Sequence, residues 1–120
     1  MKIAISATGQ HKENLLDRRF GRCDYFQIFN TETGDYKVIS NNGVSSGGGA
    51  GIAAASQVIE ENVSVIITVN LGPNAFELIE KAEIKAYNCE ALPIYRVVEM
   101  FQKNQLSEIS TAGNAHHGMK

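Results

Sequence analysis

Two glycine-containing stretches hold the residues of this sequence best suited to binding a ligand. SSGGGAG spans residues 45–51, NLGPN spans residues 70–74, and each comes directly before a helical pattern of apolar residues. The first N–H groups of a helix have no partner within it and carry about half a positive charge. Because glycine has no side chain, an anion can come close to those N–H groups. The predicted anion-binding residues are Ser46, Gly47, Gly48, Gly49, Gly51, Asn70, Gly72 and Asn74.

The sequence gives weak support for a nucleotide as that anion. The phosphate-loop pattern GxxxxGK[ST] is absent, although Gly49, Gly51 and Ala54 fit the dinucleotide pattern GxGxxA. The acidic residue that such sites carry about twenty positions later is missing, because residues 69–71 are apolar or amide-bearing. An alternative interpretation of the glycines is that they only allow close packing between helix and sheet.

Side chains able to bind a metal occur in two places. Cys23 follows Arg22, and an adjacent cation lowers a thiol pKa and favours the thiolate that binds metals. Arg22 could also add positive charge at the mouth of the anion site. His116 and His117 are adjacent near the end of the chain, and imidazole suits copper, iron or zinc. The alternatives are a buried, inert cysteine and a solvated terminal segment.

Composition limits the classes of function. The chain has 120 residues, 43% of them hydrophobic, and a net charge of −2, which fit one soluble domain. Such a charge gives no reason to expect nucleic acid or a membrane surface as partner. The longest apolar run, residues 65–69, is too short to span a bilayer, and the first residues do not resemble a signal peptide. We therefore expect a cytoplasmic protein with free thiols.

Hydrophobic periodicity predicts the elements that position these residues. Three strands come first, and Gly34 turns the last two into a hairpin. Helices beginning near residues 52, 73 and 93 then alternate with strands over 63–69 and 84–87. The predicted fold class is α/β: a mixed five-stranded sheet, β-β-β-α-β-α-β-α, in a domain over residues 1–106 with a flexible tail over 107–120. The later strands must run parallel, so NLGPN follows the carboxyl end of a strand, where ligands bind in such sheets.

Four motifs occur in an order and spacing that resemble a known family. They are MKIAIS, FGRCDYFQIF, GGGAGIAAA and NLGPNAFELIEKAEIKAY. They resemble the dinitrogenase iron–molybdenum cofactor biosynthesis family, which includes NifX-like proteins and the carboxyl-terminal domain of NifB-like proteins. The resemblance implies a ribonuclease-H-like fold. It also implies a non-enzymatic protein that binds or carries a metal–sulfur cluster or its precursor, iron–sulfur or molybdenum-containing, between donor and acceptor proteins. Relatives often carry a histidine before the glycines, where this chain has Val44, Ser45 and Ser46.

Three alternatives to a cluster carrier draw on other features of the sequence. A small-anion or nucleotide-binding regulatory module explains the glycine turns equally well. A nuclease of the ribonuclease-H type is disfavoured, because the first strand has no acidic residue to hold metal ions. A thiol enzyme built on Cys23 lacks an evident histidine–carboxylate partner in the sequence.

Overall fold

A computed structural model describes residues 1–43 and 49–111 of the chain. Within these ranges a single α/β domain contains six strands and three helices. In chain order they are β1 (Lys2–Ala7), β2 (Tyr25–Asn30), β3 (Tyr36–Ser40), α1 (Ala50–Glu60), β4 (Val65–Thr68), α2 (Pro73–Lys81), β5 (Lys85–Asn88), α3 (Ile94–Gln102) and β6 (Ser107–Glu108).

The predicted hairpin around Gly34 is confirmed, and β2 and β3 form it. The two strands pair antiparallel, with Phe26 opposite Ile39 and Phe29 opposite Tyr36. Gly34 in the connecting turn has a φ of 78°, a left-handed conformation that side chains disfavour. Turn chemistry and strand alternation therefore agree, which fixes the register of the hairpin.

The six strands form one mixed sheet in the order β3-β2-β1-β4-β5-β6. The strands β1, β4 and β5 run parallel, as predicted, so their carboxyl ends lie at the same edge of the sheet. The helices cover both faces. The side chains of α1 and α2 pack with Phe26, Ile28 and Ile66, whereas those of α3 pack with Ile3, Ile5 and Ile67 on the other face.

The prediction of five strands is wrong, because β6 adds a sixth strand beside β5. Its two residues pair antiparallel with Tyr87 and Asn88, and the next N–H, that of Ile109, donates to Ala86 O at 2.7 Å. So short a strand has no alternating pattern to reveal it in the sequence. The ribonuclease-H-like assignment and the domain boundary at residue 106 stay predictions, although the sheet pairing continues past that boundary.

Candidate anion-binding site

A cleft of about 260 Å³ lies between the first turns of α1 and α2, beside the residues that follow β4. Its lining includes five of the residues predicted to bind an anion, namely Gly49, Gly51, Asn70, Gly72 and Asn74. In the sequence these residues form two groups, 49–51 and 70–74, about twenty positions apart. The two groups follow β3 and β4, and these strands run in the same direction, because β2 is antiparallel to both β1 and β3 and β1 is parallel to β4. Both turns therefore lie at the same edge of the sheet.

The first turn of α1 borders this cleft with N–H groups that no described residue accepts from. Gly49 caps the helix in a left-handed conformation, with a φ of 74°, and no side chain caps the helix. The first bond to the cap runs from Ala53 N to Gly49 O at 2.9 Å. Among the described residues, no acceptor pairs with the N–H groups of Ala50, Gly51 and Ile52. The first turn also has no acidic residue, so its partial positive charge is not neutralised locally.

The first turn of α2 is open in the same way. Gly72 caps the helix in an extended conformation without a side-chain hydrogen bond, and Pro73 at the first position has no N–H. Phe76 N donates to Gly72 O at 2.9 Å, and the described residues provide no acceptor for the N–H groups of Asn74 and Ala75. As far as residues 1–43 and 49–111 show, two helix N-termini therefore offer unpaired donors to the same cleft.

The N-terminus of α3 shows the opposite arrangement. Ile94 N donates to Asn14 O at 2.8 Å, and Tyr95 N donates to Lys12 O at 3.1 Å. The loop after β1 thus supplies carbonyl oxygens to the first turn of α3, which leaves no N–H groups there for a ligand. Of the three helices in the described ranges, only α1 and α2 can contribute amides to an anion site.

Phe20 and Gly21 form a wall of the cleft that the sequence did not reveal as part of the site. Phe20 is buried, with its ring centroid 5.3 Å from that of Phe26. Gly21 lies so close to α1 that an added Cβ would be 2.8 Å from Gly51 N. The only available signal was the FGR motif itself, because the loop over residues 8–22 has no periodicity.

Two buried polar side chains hold this wall in place. The Asp17 carboxylate accepts hydrogen bonds from Arg19 N, Nε and Nη2 at 2.9–3.1 Å. The backbone of Arg19 also forms an isolated parallel β-bridge with that of Asn70. Asn41 Nδ2 donates to Gly21 O at 3.0 Å and to Cys23 O at 2.8 Å. The Arg22 side chain is exposed and does not line the cleft.

Cys23 lies in the core. Its side chain is fully buried, and its Sγ donates to Phe20 O at 3.4 Å. Burial raises the pKa of the Cys23 thiol to about 12, so the expectation that Arg22 lowers this pKa is wrong. Burial also raises the pKa of Cys89, and no group of three or more potential ligands occurs among residues 1–43 and 49–111. Ser46, Gly47, Gly48, His116 and His117 lie outside the described residues.

We expect the raised pKa of Cys23 to make the protein less stable in alkali. The unfolded thiol loses its proton near its ordinary pKa of 9.0, whereas the folded thiol keeps it until about 12. The contribution of this thiol to the free energy of unfolding is therefore complete below pH 9 and falls by about 1.4 kcal/mol per pH unit up to pH 12.

The measurement is urea unfolding at pH 8, 9 and 10 for the native chain and for Cys23→Ala. The variant should lose less stability between pH 8 and pH 10, because it lacks the titrating thiol. Equal losses in the two proteins would contradict a protonated, buried Cys23. Iodoacetamide at pH 8 should likewise label Cys23 only after unfolding.

Comparison with protein families identifies the family of this chain. The family model described as dinitrogenase iron-molybdenum cofactor matches residues 1–104 of the chain. The chain belongs to the dinitrogenase iron–molybdenum cofactor family. The resemblance stated from the four motifs is therefore confirmed. Within residues 1–43 and 49–111 of this family member, no helix has the length and hydropathy needed to cross a bilayer.

Relatives and solved structures agree with this membership of the dinitrogenase iron–molybdenum cofactor family. An uncharacterized protein of Methanocaldococcus jannaschii is 30% identical over 111 residues, which cover 90% of this chain and 91% of the relative. The apo form of the orange protein from Desulfovibrio gigas has a TM-score of 0.88 and 28% identity, covering 92% and 93% of the two chains. A Thermotoga protein described as a candidate NifB protein has a TM-score of 0.82 and 29% identity, covering 92% and 94% of the two chains.

Proposed function

We propose that this protein is a non-enzymatic carrier of a metal–sulfur cluster or its precursor, iron–sulfur or molybdenum-containing. The cleft between α1 and α2 would hold this cargo during assembly, storage or delivery. The observation that carries the proposal is that two helix N-termini border one cleft with five N–H groups that have no acceptor among residues 1–43 and 49–111, those of Ala50, Gly51, Ile52, Asn74 and Ala75. Membership of a family described by the iron–molybdenum cofactor of dinitrogenase supports the nature of the cargo.

The chemistry of the lining favours a sulfide-rich anion over phosphate. No lysine, arginine or histidine occurs among the described residues that line the cleft, which include Phe20, Ile52 and Ala75. Phosphate is strongly hydrated, and proteins usually bind it with cationic side chains. A thiometalate or cluster spreads its charge over large, soft sulfides, which accept hydrogen bonds from N–H groups and lose less hydration free energy than phosphate oxygens on contact with apolar side chains. A lining of backbone amides and apolar groups therefore suits a thiometalate or metal–sulfur cluster better than phosphate.

Binding without strong covalent ligands also suits a protein that must release its cargo. Cys23 is fully buried and burial raises the pKa of its thiol, so the proposed binding mode does not use this side chain in the described conformation. Hydrogen bonds from backbone amides can break one at a time as another protein takes the cluster. The partners in this proposal are a donor and an acceptor protein in the cytoplasm, with neither nucleic acid nor membrane.

The second candidate is a regulatory module that binds a small anion or nucleotide without metal. The same open N-termini favour it, because they attract any anion. A thermal-shift comparison separates the two candidates. A ligand at 100 times its Kd stabilises the folded state by about 2.7 kcal/mol. Stabilisation by ATP or inorganic phosphate, but not by tetrathiomolybdate, would favour the regulatory module.

Anaerobic reconstitution tests directly whether the protein binds a metal–sulfur cluster. The protein is incubated with iron and sulfide, or with tetrathiomolybdate and copper, and then passed through a gel-filtration column. We expect charge-transfer absorption bands to elute with the protein, with metal present in a constant ratio to the chain. Colourless, metal-free protein after both treatments would contradict the proposal.

A further inference from the structure

Three of the four arginines of this chain lie within five residues, at positions 18, 19 and 22. All three are exposed, whereas Phe20 and Gly21 between them form a wall of the cleft between α1 and α2. Gly21 packs so closely that an added Cβ would lie 2.8 Å from a backbone nitrogen of α1. The arginines therefore lie next to the cleft but outside its described lining.

The Arg19 guanidinium is held in an orientation that leaves donors for a partner. Its Nε and Nη2 donate to the buried Asp17 carboxylate at 3.1 and 3.0 Å, while 64% of the side chain is exposed. Within residues 1–43 and 49–111, Nη1 has no acceptor. The backbone bridge between Arg19 and Asn70 ties the same segment to the cleft. A side chain that is already ordered loses little entropy on binding.

The residue types beside the cleft favour a protein surface as the occupant. Three arginines and one aspartate give residues 17–22 a net charge of +2, although the whole chain carries −2. Arginine is enriched in protein interfaces and lysine is depleted, because the planar guanidinium binds a carboxylate through two parallel hydrogen bonds. Ile52 lines the cleft and is 42% exposed, so an apolar contact lies close to the charged segment. Interfaces commonly combine an apolar centre with such a polar rim.

We propose that the exposed residues beside the cleft form a docking surface for a partner protein that presents carboxylates around an apolar side chain. They are Arg18, Arg19, Arg22 and Ile52. The carboxylates pair with the arginines, and the apolar side chain contacts Ile52. The proposal rests on the carrier function, because a partner docked here lies next to the cargo and can deliver it or take it up. Charge complementarity selects an acidic surface over a neutral or basic one.

The peptide EDELEDE, labelled for fluorescence anisotropy, serves as the probe, and the target is cluster-free protein at low salt. We expect the double variant Arg18→Gln and Arg19→Gln to weaken binding by about tenfold, because two partly exposed ion pairs with the peptide are lost. Arg18→Gln alone leaves the pair of Arg19 with Asp17 intact and should weaken binding by about threefold. Arg18→Lys and Arg19→Lys together should also cost about threefold, since lysine keeps the charge but lacks the planar fork.

The matched control is the double variant Lys81→Gln and Lys85→Gln, which removes the same charge near the other end of α2. Lys81 pairs with Glu77 at 3.4 Å, as Arg19 pairs with Asp17, and Lys85 is exposed like Arg18. This control should change binding of EDELEDE by less than about twofold.

Several outcomes would overturn the docking surface. Equal losses in the arginine and lysine double variants, or equal affinity for EDELEDE and EDESEDE, would reduce the interaction to non-specific charge attraction. Failure of EDELEDE to bind at low salt would remove the interaction altogether. Tighter binding of a short oligothymidylate than of EDELEDE would make the surface a nucleic-acid site instead.

Anaerobic reconstitution of Arg18→Gln separates docking from cargo binding. This variant should take up as much cluster as the native protein, because Arg18 does not line the cleft. A fall in its cluster content would assign the arginines to the cargo and overturn the docking surface. If the native protein itself takes up no cluster, the carrier function fails, and the peptide measurements on cluster-free protein still decide whether this surface binds acidic segments.

Discussion

Replacing Gly72 with aspartate is expected to weaken binding of a metal–sulfur anion by at least about 100-fold without unfolding the protein. Gly72 caps α2 in an extended conformation, with a φ of −69° and a ψ of 167°, and no atom lies within 4 Å of an added Cβ. This backbone conformation suits an aspartate cap, whose carboxylate accepts from the N–H groups of the first turn. The carboxylate would occupy the donors that the cargo needs.

The size of this effect follows from charge. Two like charges 4 Å apart repel by about 4 kcal/mol at an effective dielectric constant of 20, and every 1.4 kcal/mol is about tenfold in affinity. The same carboxylate should stabilise the folded state by a few tenths to about 1 kcal/mol, because it satisfies and neutralises the helix terminus. Binding and stability should therefore change in opposite directions.

Gly72→Asn is the matched control, since its amide has nearly the shape of the aspartate carboxylate but no charge. We expect this variant to keep most of the cluster binding, because a neutral cap competes more weakly than a carboxylate. Cluster content after anaerobic reconstitution and urea unfolding give the two quantities for each protein. If both variants lose binding equally, steric blocking rather than charge governs the site. If both bind like the native protein, the N-terminus of α2 does not contribute.

Replacing Gly21 with alanine is expected to lower the free energy of unfolding by about 1–3 kcal/mol, as overpacking of a tight contact does. The added Cβ would lie 2.8 Å from Gly51 N, 3.0 Å from Gly51 Cα and 3.1 Å from the carbonyl carbon of Ala50. All three atoms are backbone, so the first turn of α1 must move. Because this turn supplies N–H groups to the cleft, cluster binding should also fall by about tenfold, the worth of one hydrogen bond to a charged group.

Gly72→Ala is the control for this prediction, because its added methyl group meets no atom within 4 Å and its φ suits any residue. Its unfolding free energy should stay within about 0.5 kcal/mol of the native value. Circular dichroism in urea gives both values. If Gly21→Ala and this control have the same free energy of unfolding, Gly21 is not in tight contact with the first turn of α1.

The sequence predicts the hairpin and the cleft because both depend on local signals. In the hairpin, Gly34 and the strand alternation decide the register within sixteen residues. In the cleft, glycine and proline mark where α1 and α2 begin, and the parallel strands bring the two turns together. Local chemistry and topology are thus enough to place five of the predicted anion-binding residues in one cleft.

The remaining features depend on contacts between distant segments. The sequence places Cys23 beside Arg22, which favours a thiolate, but the fold buries the thiol among core side chains and raises its pKa. The start of α3 resembles that of α2 in sequence, yet carbonyls of residues 12 and 14 occupy its N–H groups. Asn41 and Gly21 contribute through contacts with segments about twenty to thirty residues away, which no periodicity reveals.

Backbone amide NMR during titration with tetrathiomolybdate and copper tests most directly whether main-chain N–H groups hold the cargo. We predict that the largest shifts occur at Ala50, Gly51, Ile52, Asn74 and Ala75, the N–H groups that the described part of the chain leaves unpaired. The amides of Ile94 and Tyr95 in α3 should change little, because carbonyls already accept their hydrogen bonds. Shifts that concentrate around Cys89 or α3 and leave both glycine turns unchanged would contradict the account.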